Sequence, residues 1–417
     1  MTEIAGKPPI CRSCGSLLTT TLVDLGYTPL SNAYVNKTQL DTPDRVYPLH
    51  ARVCGECFLV QIDDVVPTAE IFTEYPYFSS YSDSWVAHAK TYVEAMITRY
   101  QLGSDSRVVE IASNDGYLLQ HFLSKGVKIL GIEPAANVAA AALQLGVPTE
   151  VAFFGQDTAG RVRGNFGPAD LITANNVLAH TPDINDLIAG VAILLAPEGV
   201  FTAEFPHLLT LIEQTQFDTI YHEHFSYLSL LAFERIVGPH GLQVVDVEML
   251  STHGGSLRVF VSHLNSVTHR PQLRLDVIRA KEHEAGLDRL GGYSDLAPKV
   301  AKIREDLLAF LDQAETSGRV VAAYGAAAKG NTLLNYCGIK ADRVAFVCDR
   351  NPAKQGRFMP GSRIPIVAPD VLTASKPDYV LILPWNLREE ISQQLSFIGD
   401  WGARFVIPLP ALEIFDA

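Results

Sequence analysis

Short apolar runs alternate with amphipathic stretches along most of this chain, and that alternation sets the expected architecture. Arg107-Val-Val opens a β-branched run that reads as a buried strand, Leu118-Leu-Gln-His-Phe-Leu starts a helix, and Lys128-Ile-Leu-Gly-Ile is a second strand ending in Glu133. Leu171-Ile-Thr-Ala-Asn and Gly199-Val-Phe-Thr-Ala-Glu continue the series to about Pro206. Strands that alternate with helices predict a parallel, doubly wound sheet. Runs at 243–248 and 256–262 are expected to close its far edge. Upstream, Phe58-Leu-Val-Gln-Ile is strand-like, Tyr75, Tyr77, Phe78, Tyr81 and Trp85 form an aromatic cluster, and Ser84 to Tyr100 has helical spacing. Downstream, 268–316 carries charges at helical spacing with few breakers, which predicts a helical connector.

A second stretch repeats the early plan. Arg319-Val-Val-Ala-Ala-Tyr-Gly-Ala-Ala-Ala-Lys-Gly330 is a strand running into a turn of small residues, and Val344-Ala-Phe-Val-Cys348 is a second strand ending in Asp349. Arg107–Glu133 and Arg319–Asp349 are thus two strand–turn–helix–strand units ending in an acid. The expected fold class is α/β in three parts: a small N-terminal module over 1–75, a central Rossmann-like domain over 76–265, and 266–417 as the connector plus a second Rossmann-like domain. Duplication and convergence on a common unit both account for the repeat.

Composition narrows the class without touching the fold. The 417 residues are 47% hydrophobic and 19% charged, as in globular enzymes. The net charge of −13, from 33 basic and 46 acidic side chains, argues against a nucleic-acid surface. The first residues lack the apolar core of a signal peptide, and no uncharged apolar run reaches the ~20 residues a membrane helix needs, so a cytoplasmic setting without membrane partners is expected. In a reducing compartment the six cysteines are expected as thiols or metal ligands.

Four of those cysteines form two pairs, Cys11-x-x-Cys14 and Cys54-x-x-Cys57. A two-residue spacer lets both sulfurs of a pair point at one ion, and two pairs complete a tetrahedral zinc site. Because protein fills all four positions, the expected zinc is structural, and its loss should lower stability before it stops chemistry.

The turn Glu110-Ile-Ala-Ser-Asn-Asp-Gly-Tyr117 is the first candidate ligand cradle. Small residues let the backbone approach a ligand, and Glu133 at the tip of the next strand is placed to accept from both ribose hydroxyls of a nucleoside. Dinucleotide turns usually read G-x-G-x-x-G, whereas here Ala112, Asn114 and Gly116 stand in an E-x-A-x-N-x-G array. One glycine suits a pyrophosphate poorly, and Asp115 would face it. Glu110 suits a cation better, which favours S-adenosylmethionine over NAD. Asn175 and Asn176, past the next strand, are candidates for its methionine part, and His180 would lie near the transferred methyl.

Tyr221-His-Glu-His-Phe-Ser-Tyr227 is dense in titratable groups. Its histidines, two apart, do not match the i, i+4 spacing of a zincin. Proton handling is the better reading, with a hydrogen-bonded structural loop as the alternative. A base matters for one class of methyl transfer, because an sp³ carbon must lose a proton before it can attack.

Taken in order, the paired Cys knuckles, the Glu110–Tyr117 turn, the Tyr221–Tyr227 run, Thr252-His-Gly-Gly-Ser-Leu-Arg258 and Tyr324-Gly-Ala-Ala-Ala-Lys-Gly-Asn-Thr332 resemble the sugar C-methyltransferases of nucleotide-linked deoxysugar biosynthesis, antibiotic sugars among them. The resemblance is strongest to the C-3′-methyltransferases acting on dTDP-4-keto sugars, and it covers essentially the whole chain. It departs at Ala112, where methyltransferases commonly have glycine; alanine is expected to make the close turn at negative φ. The resemblance implies a dTDP-linked 4-keto-deoxysugar lying between the central and C-terminal domains. It implies His224 as the base for the C-3′ proton and Tyr221 as the runner-up or the donor to the C-4′ ketone. It also implies Glu223 as the group orienting His224 or the cofactor, with His180 and Tyr75 lining the sugar pocket.

The turn from Gly325 to Asn331 is expected to offer N–H groups to a diphosphate, with Lys329 adding charge. Trp385-Asn386, after an apolar strand, is placed to line the same cleft, and Thr252–Ser256 is a glycine loop that either meets substrate or turns the chain. Two other readings stand beside this one: an NAD-dependent dehydrogenase or epimerase of sugar nucleotides, and a non-enzymatic zinc-ribbon adaptor. The substituent at C-3′ and the oligomeric state are not legible here.

Overall fold

The computed structural model describes residues 8–63, 65–66, 79–81 and 83–417, without the side chains of 81 and 83. Three sheets organise them. The N-terminal sheet runs β1 (Thr20–Thr28), β2 (Tyr47–Val53), β3 (Val60–Ile62), β9 (Ser226–Tyr227), all antiparallel. Its last strand comes from the end of the Tyr221–Tyr227 run, so the central segment completes the sheet of the cysteine module.

The central sheet has seven strands in the order β10 (Leu242–Leu250), β11 (Ser256–His263), β8 (Leu195–Pro206), β7 (Ala169–Asn175), β4 (Arg107–Ile111), β5 (Lys128–Ile132), β6 (Thr149–Glu150). From β8 to β6 it is parallel, and β11 and β10 close it antiparallel, at the edge expected from their apolar runs. Alternate residues serve opposite faces: Val109 and Ile172 pack into one core, Val108 and Leu171 into another. Burial on both faces is why β4 and β7 read as continuous apolar runs rather than alternating ones.

The C-terminal sheet runs β14 (Ile366–Val367), β13 (Val347–Cys348), β12 (Val321–Tyr324), β15 (Tyr379–Ile382), β16 (Arg404–Ile407), β17 (Glu413–Asp416), parallel except for the last strand. The second strand of the repeat unit is shorter than the sequence implies, covering only Val347–Cys348. In both parallel sheets the first strand of the unit lies between the second and a later one, β4 between β5 and β7, β12 between β13 and β15. Chain order reverses there, and ligands of open α/β sheets bind beyond the strand ends at such points.

The 268–316 region holds helices Leu273–Glu284 and Leu296–Thr316 and does more than connect. Val300, Leu307 and Leu311 of the longer helix share one apolar core with Leu49 and Ala51 of β2, Phe217 of the central segment, and Val321 and Leu333 of the C-terminal unit. The three parts therefore share one core around this helix. Among the described residues, no helix is long and apolar enough to cross a membrane.

Candidate active site

The first cradle forms where β4 ends. Ala112, Asn114 and Gly116 take φ of 53°, 49° and 81°, three left-handed residues in five. Ala112 thus does not turn at negative φ as expected. The chain reverses too tightly for that, and Cβ strain of about 1–2 kcal/mol is accepted at this position. Gly116 has no such latitude, since a Cβ there would lie 3.0 Å from Val147 Cγ2. Glu133 holds the turn: one oxygen accepts from Asn114 N–H (2.9 Å) and the other from Ala135 N–H (2.8 Å).

Three carboxylates converge on this turn. Glu110 is 1% exposed, and its Oε2, like Oδ1 of Asp115, is buried without a hydrogen-bond partner. Burial, then Glu133 and Asp115, push the Glu110 carboxyl well above its ordinary range. Orphaned acid oxygens in a turn with a single glycine fit the cationic groups of S-adenosylmethionine and suit a pyrophosphate poorly. Ser79 N–H and Ser80 N–H donate to the side chains of Asn114 and Asp115 (both 3.0 Å), so the segment entering the helix Asp83–Tyr100 docks on the cradle. Asn175 and Asn176 stand at the end of β7 beside it; Asn176, at φ 56°, donates its N–H to Glu204 O (2.8 Å).

The Tyr221–Tyr227 run forms the second focus. His224 Nδ1 donates to Thr219 O at 2.8 Å, which leaves Nε2 as the acceptor for the Tyr221 hydroxyl, also at 2.8 Å. His180 packs edge-on against this ring, centroids 4.7 Å apart. Burial, and then His180, hold the His224 pKa well below its ordinary value; burial brings His180 to about 4. Both rings are therefore neutral at neutral pH. Glu223 does not orient His224. Neighbouring residues in this turn point apart, so the Thr219 carbonyl takes that task and the Glu223 carboxylate accepts from Asn32 Nδ2 at 2.6 Å. Burial raises Glu223 to about 7, with the Asn32 bond opposing it. Tyr75 lies outside the described residues.

The second turn faces this focus from the C-terminal unit. Gly325 has φ 89°, and a Cβ on it would meet Pro384 Cδ at 2.5 Å. Lys329 donates to Asn386 Oδ1 (2.7 Å) and lies over the Trp385 ring, 4.6 Å from its centroid. Its charge is felt by both His224 and His253. Trp385 Nε1 donates to Asp218 Oδ2 (2.8 Å), which ties the two units. Asn331 is 1% exposed and gives its amide to Ser31 O (2.6 Å), so it anchors the turn to the N-terminal part instead of facing the cleft.

The four thiols Cys11, Cys14, Cys54 and Cys57 lie within 4.8 Å of one another, with Cys11–Cys57 and Cys14–Cys54 sulfur pairs at 3.5 Å. A zinc tetrahedron with ~2.3 Å bonds has sulfur–sulfur edges of about 3.8 Å, so the set fits the ion. The amide of Gln61 (3.2 Å) and the N–H of Glu56 (3.4 Å) donate to its sulfurs, as they would to thiolates.

Several site residues escape a sequence reading. Glu204 at the end of β8 is fully buried and bound by His88 (2.9 Å) and Arg258, which also reaches Glu248 (2.9 Å). Although burial pushes Glu204 up, His88 and Arg258 together bring it below its ordinary value. Only Arg258 carried a signal, as the end of the Thr252–Arg258 motif. In that motif His253 takes φ 55° and meets the Trp85 ring edge-on at 5.2 Å, while Gly254 leaves room for Trp385, which would lie 2.6 Å from a Cβ.

Comparison with known proteins identifies the family. Residues 11–72 match a zinc binding domain, 85–247 a methyltransferase domain, and 251–410 the C-methyltransferase C-terminal domain. The chain is 34% identical over 417 residues, all of this chain and 99% of the relative, to C-methyltransferase NovU from Streptomyces niveus. Solved structures include magnesium protoporphyrin IX methyltransferase from Synechocystis PCC 6803 (16% identity, 43% of this chain and 82% of that one, TM-score 0.33). Another is an S-adenosylmethionine-dependent methyltransferase from Anabaena variabilis (13%, 43% and 86%, TM-score 0.36). Those two likenesses are too weak to bear on the fold. A chain that matches a C-methyltransferase from end to end is neither a dehydrogenase nor an adaptor: it belongs to the C-methyltransferase family, enzymes that take their methyl from S-adenosylmethionine, here with a zinc-binding module at the N-terminus.

Proposed function

We propose that this enzyme methylates C-3′ of a dTDP-linked 4-keto-deoxysugar, and that Tyr221 and His224 handle the proton that must leave first. The observation that carries the reading is the pair of 2.8 Å bonds on His224, which fix its tautomer and leave the Nε2 lone pair facing the Tyr221 hydroxyl. A carbon acceptor needs such a base where an oxygen or nitrogen acceptor needs only positioning. The similarity to a C-methyltransferase supports carbon as the acceptor.

In this reading the C-3′–H bond breaks with its proton passing to His224 Nε2, and its electron pair moves into an enolate whose charge sits on the C-4′ oxygen. Tyr221, displaced from Nε2, donates to that oxygen. S-adenosylmethionine, when bound, would supply the electrophilic methyl to C-3′, the electron pair of the broken S–CH3 bond staying on sulfur in the departing thioether. Glu110, Ala112, Asn114, Asp115, Gly116, Glu133, Asn175 and Asn176 hold the cofactor, His180 walls the sugar side of His224, and Glu223 meets a polar group of the sugar. Gly325, Lys329 and Trp385 receive the nucleotide end, on a turn that Asn331 anchors. The zinc module is then residues 1–75, the cofactor domain 76–265 and the nucleotide-facing part 266–417.

Incubation with S-adenosylmethionine and dTDP-4-keto-deoxysugars bearing an amine or a hydroxyl at C-3′, read by mass spectrometry and NMR, tests the proposal. A gain of one methylene unit located on C-3′ is expected. No gain with either sugar, or a methyl on oxygen or nitrogen, would reject it.

A further inference from the structure

The loop between β1 and β2 belongs to the cysteine module, yet its side chains reach the other two parts of the molecule. Asn32 Nδ2 donates to Glu223 Oε1 at 2.6 Å across 191 residues of sequence. Two residues on, the Tyr34 hydroxyl donates to Ala326 O at 2.6 Å, a carbonyl that also accepts from Lys354 Nζ at 2.7 Å. Just before them, Ser31 O accepts from Asn331 at 2.6 Å. The loop is thus wedged between the Tyr221–Tyr227 run and the Gly325–Asn331 turn, where the sugar nucleotide is placed above.

We propose that Asn32 is a positioning residue of the active site: its amide orients the Glu223 carboxylate so that the second oxygen is presented to the sugar. The inference rests on the placement of Glu223 in the sugar site. Glu223 is 8% exposed whereas Asn32 is exposed, so the bond sits at the lip of the cleft and not in a sealed core. Oε1 is engaged by Asn32, and among the described residues none donates a hydrogen bond to Oε2. The zinc module contributes a side chain to the reaction site by this route, beyond its own folding.

The groups facing Glu223 are few. Tyr34 comes from the same loop, His180 from the turn 178–180, where its ring meets the Glu223 main chain, and His222 and His224 from its own run. Asp349 and Lys354 of the C-terminal unit lie on the far side of Tyr34. Burial raises the Glu223 carboxyl to about 7, and among the described residues the Asn32 N–H is the partner that opposes it. Removing the amide therefore moves Glu223 further up.

The test compares the wild type with Asn32→Ala, Asn32→Asp, Glu223→Gln and the double variant Asn32→Ala/Glu223→Gln, using S-adenosylmethionine and a dTDP-4-keto-deoxysugar. Asn32→Ala should lower turnover about tenfold and move the acid limb of the pH profile up by about one unit, with cofactor affinity unchanged. Asn32→Asp, which sets a like charge against Glu223, should lose more. The double variant should be no worse than Glu223→Gln alone, because the amide acts through the carboxylate. A substrate-free readout stands beside these. A higher native pKa keeps the proton on Glu223 to higher pH, so the melting-temperature gap between Asn32→Ala and wild type should widen from pH 6 to 9, and not in the Glu223→Gln background. If Glu223→Gln is inactive while Asn32→Ala keeps the wild-type pH profile and a constant gap, the proposal is overturned. If Glu223→Gln is fully active, the placement of Glu223 in the sugar site fails instead.

Discussion

At the first switch point Glu110, Asp115 and Glu133 crowd the turn, and two of their oxygens are buried without hydrogen-bond partners. At the second, Lys329 and Lys354 flank a turn of the same plan. The terminal acid does the same work in both: Glu133 accepts from the N–H of Asn114, and Asp349 from that of Ala326 at 2.8 Å. That use of the terminal acid is shared, and the first difference is charge. In the proposed reading one unit takes a ligand with positive groups and the other a ligand with negative groups, on a single α/β plan. The backbone differs too. The first turn places Ala112 and Asn114 at positive φ, where the second uses glycine at 325.

In the proposed mechanism catalysis belongs to neither cradle, and the largest expected effect lies between them. His224→Ala should cut turnover by about 10²–10⁴-fold while cofactor affinity, measured by calorimetry, stays near wild type. Unchanged turnover would remove His224 from the base role. A crossed pair of variants addresses the charge difference directly. Glu133→Ala should weaken S-adenosylmethionine binding by about 10–100-fold and leave dTDP-sugar binding alone, and Lys329→Ala should do the reverse. If both ligands weaken in both variants, the two cradles are not separate sites.

Smaller effects address the backbone difference. Gly325→Ala meets a positive φ and the Pro384 ring together and should cost about 2–3 kcal/mol by denaturant titration. Ala112→Gly relieves strain but loosens the unfolded chain, for a net gain of about 0.5 kcal/mol. Equal and opposite effects at the two positions would mean that the turns are more alike than their dihedral angles indicate.

Much of this arrangement is legible before any coordinates. The strands of both units announce themselves because burial on two faces demands unbroken apolar runs, and the thiol set is readable because Cys-x-x-Cys spacing constrains two sulfurs locally. The Tyr221–His224 pair is visible as a dense run. Its internal geometry is not, and the expectation that Glu223 supports His224 fails on it. Ala112 shows the same limit: its identity suggested an ordinary turn, and the tightness of the reversal imposed a left-handed one.

By itself, the sequence determined the elements, their alternation, the sulfur site and the chemical character of each turn, because all of these follow from spacings of a few residues along one backbone. Tertiary structure alone decided which groups meet: Asn32 with Glu223, His88 and Arg258 with Glu204, Trp385 with Asp218, and β9 with the sheet of the cysteine module. Those pairings join segments far apart in the chain, and no local periodicity encodes them. They arise when the shared core around Leu296–Thr316 closes and brings the three parts into contact.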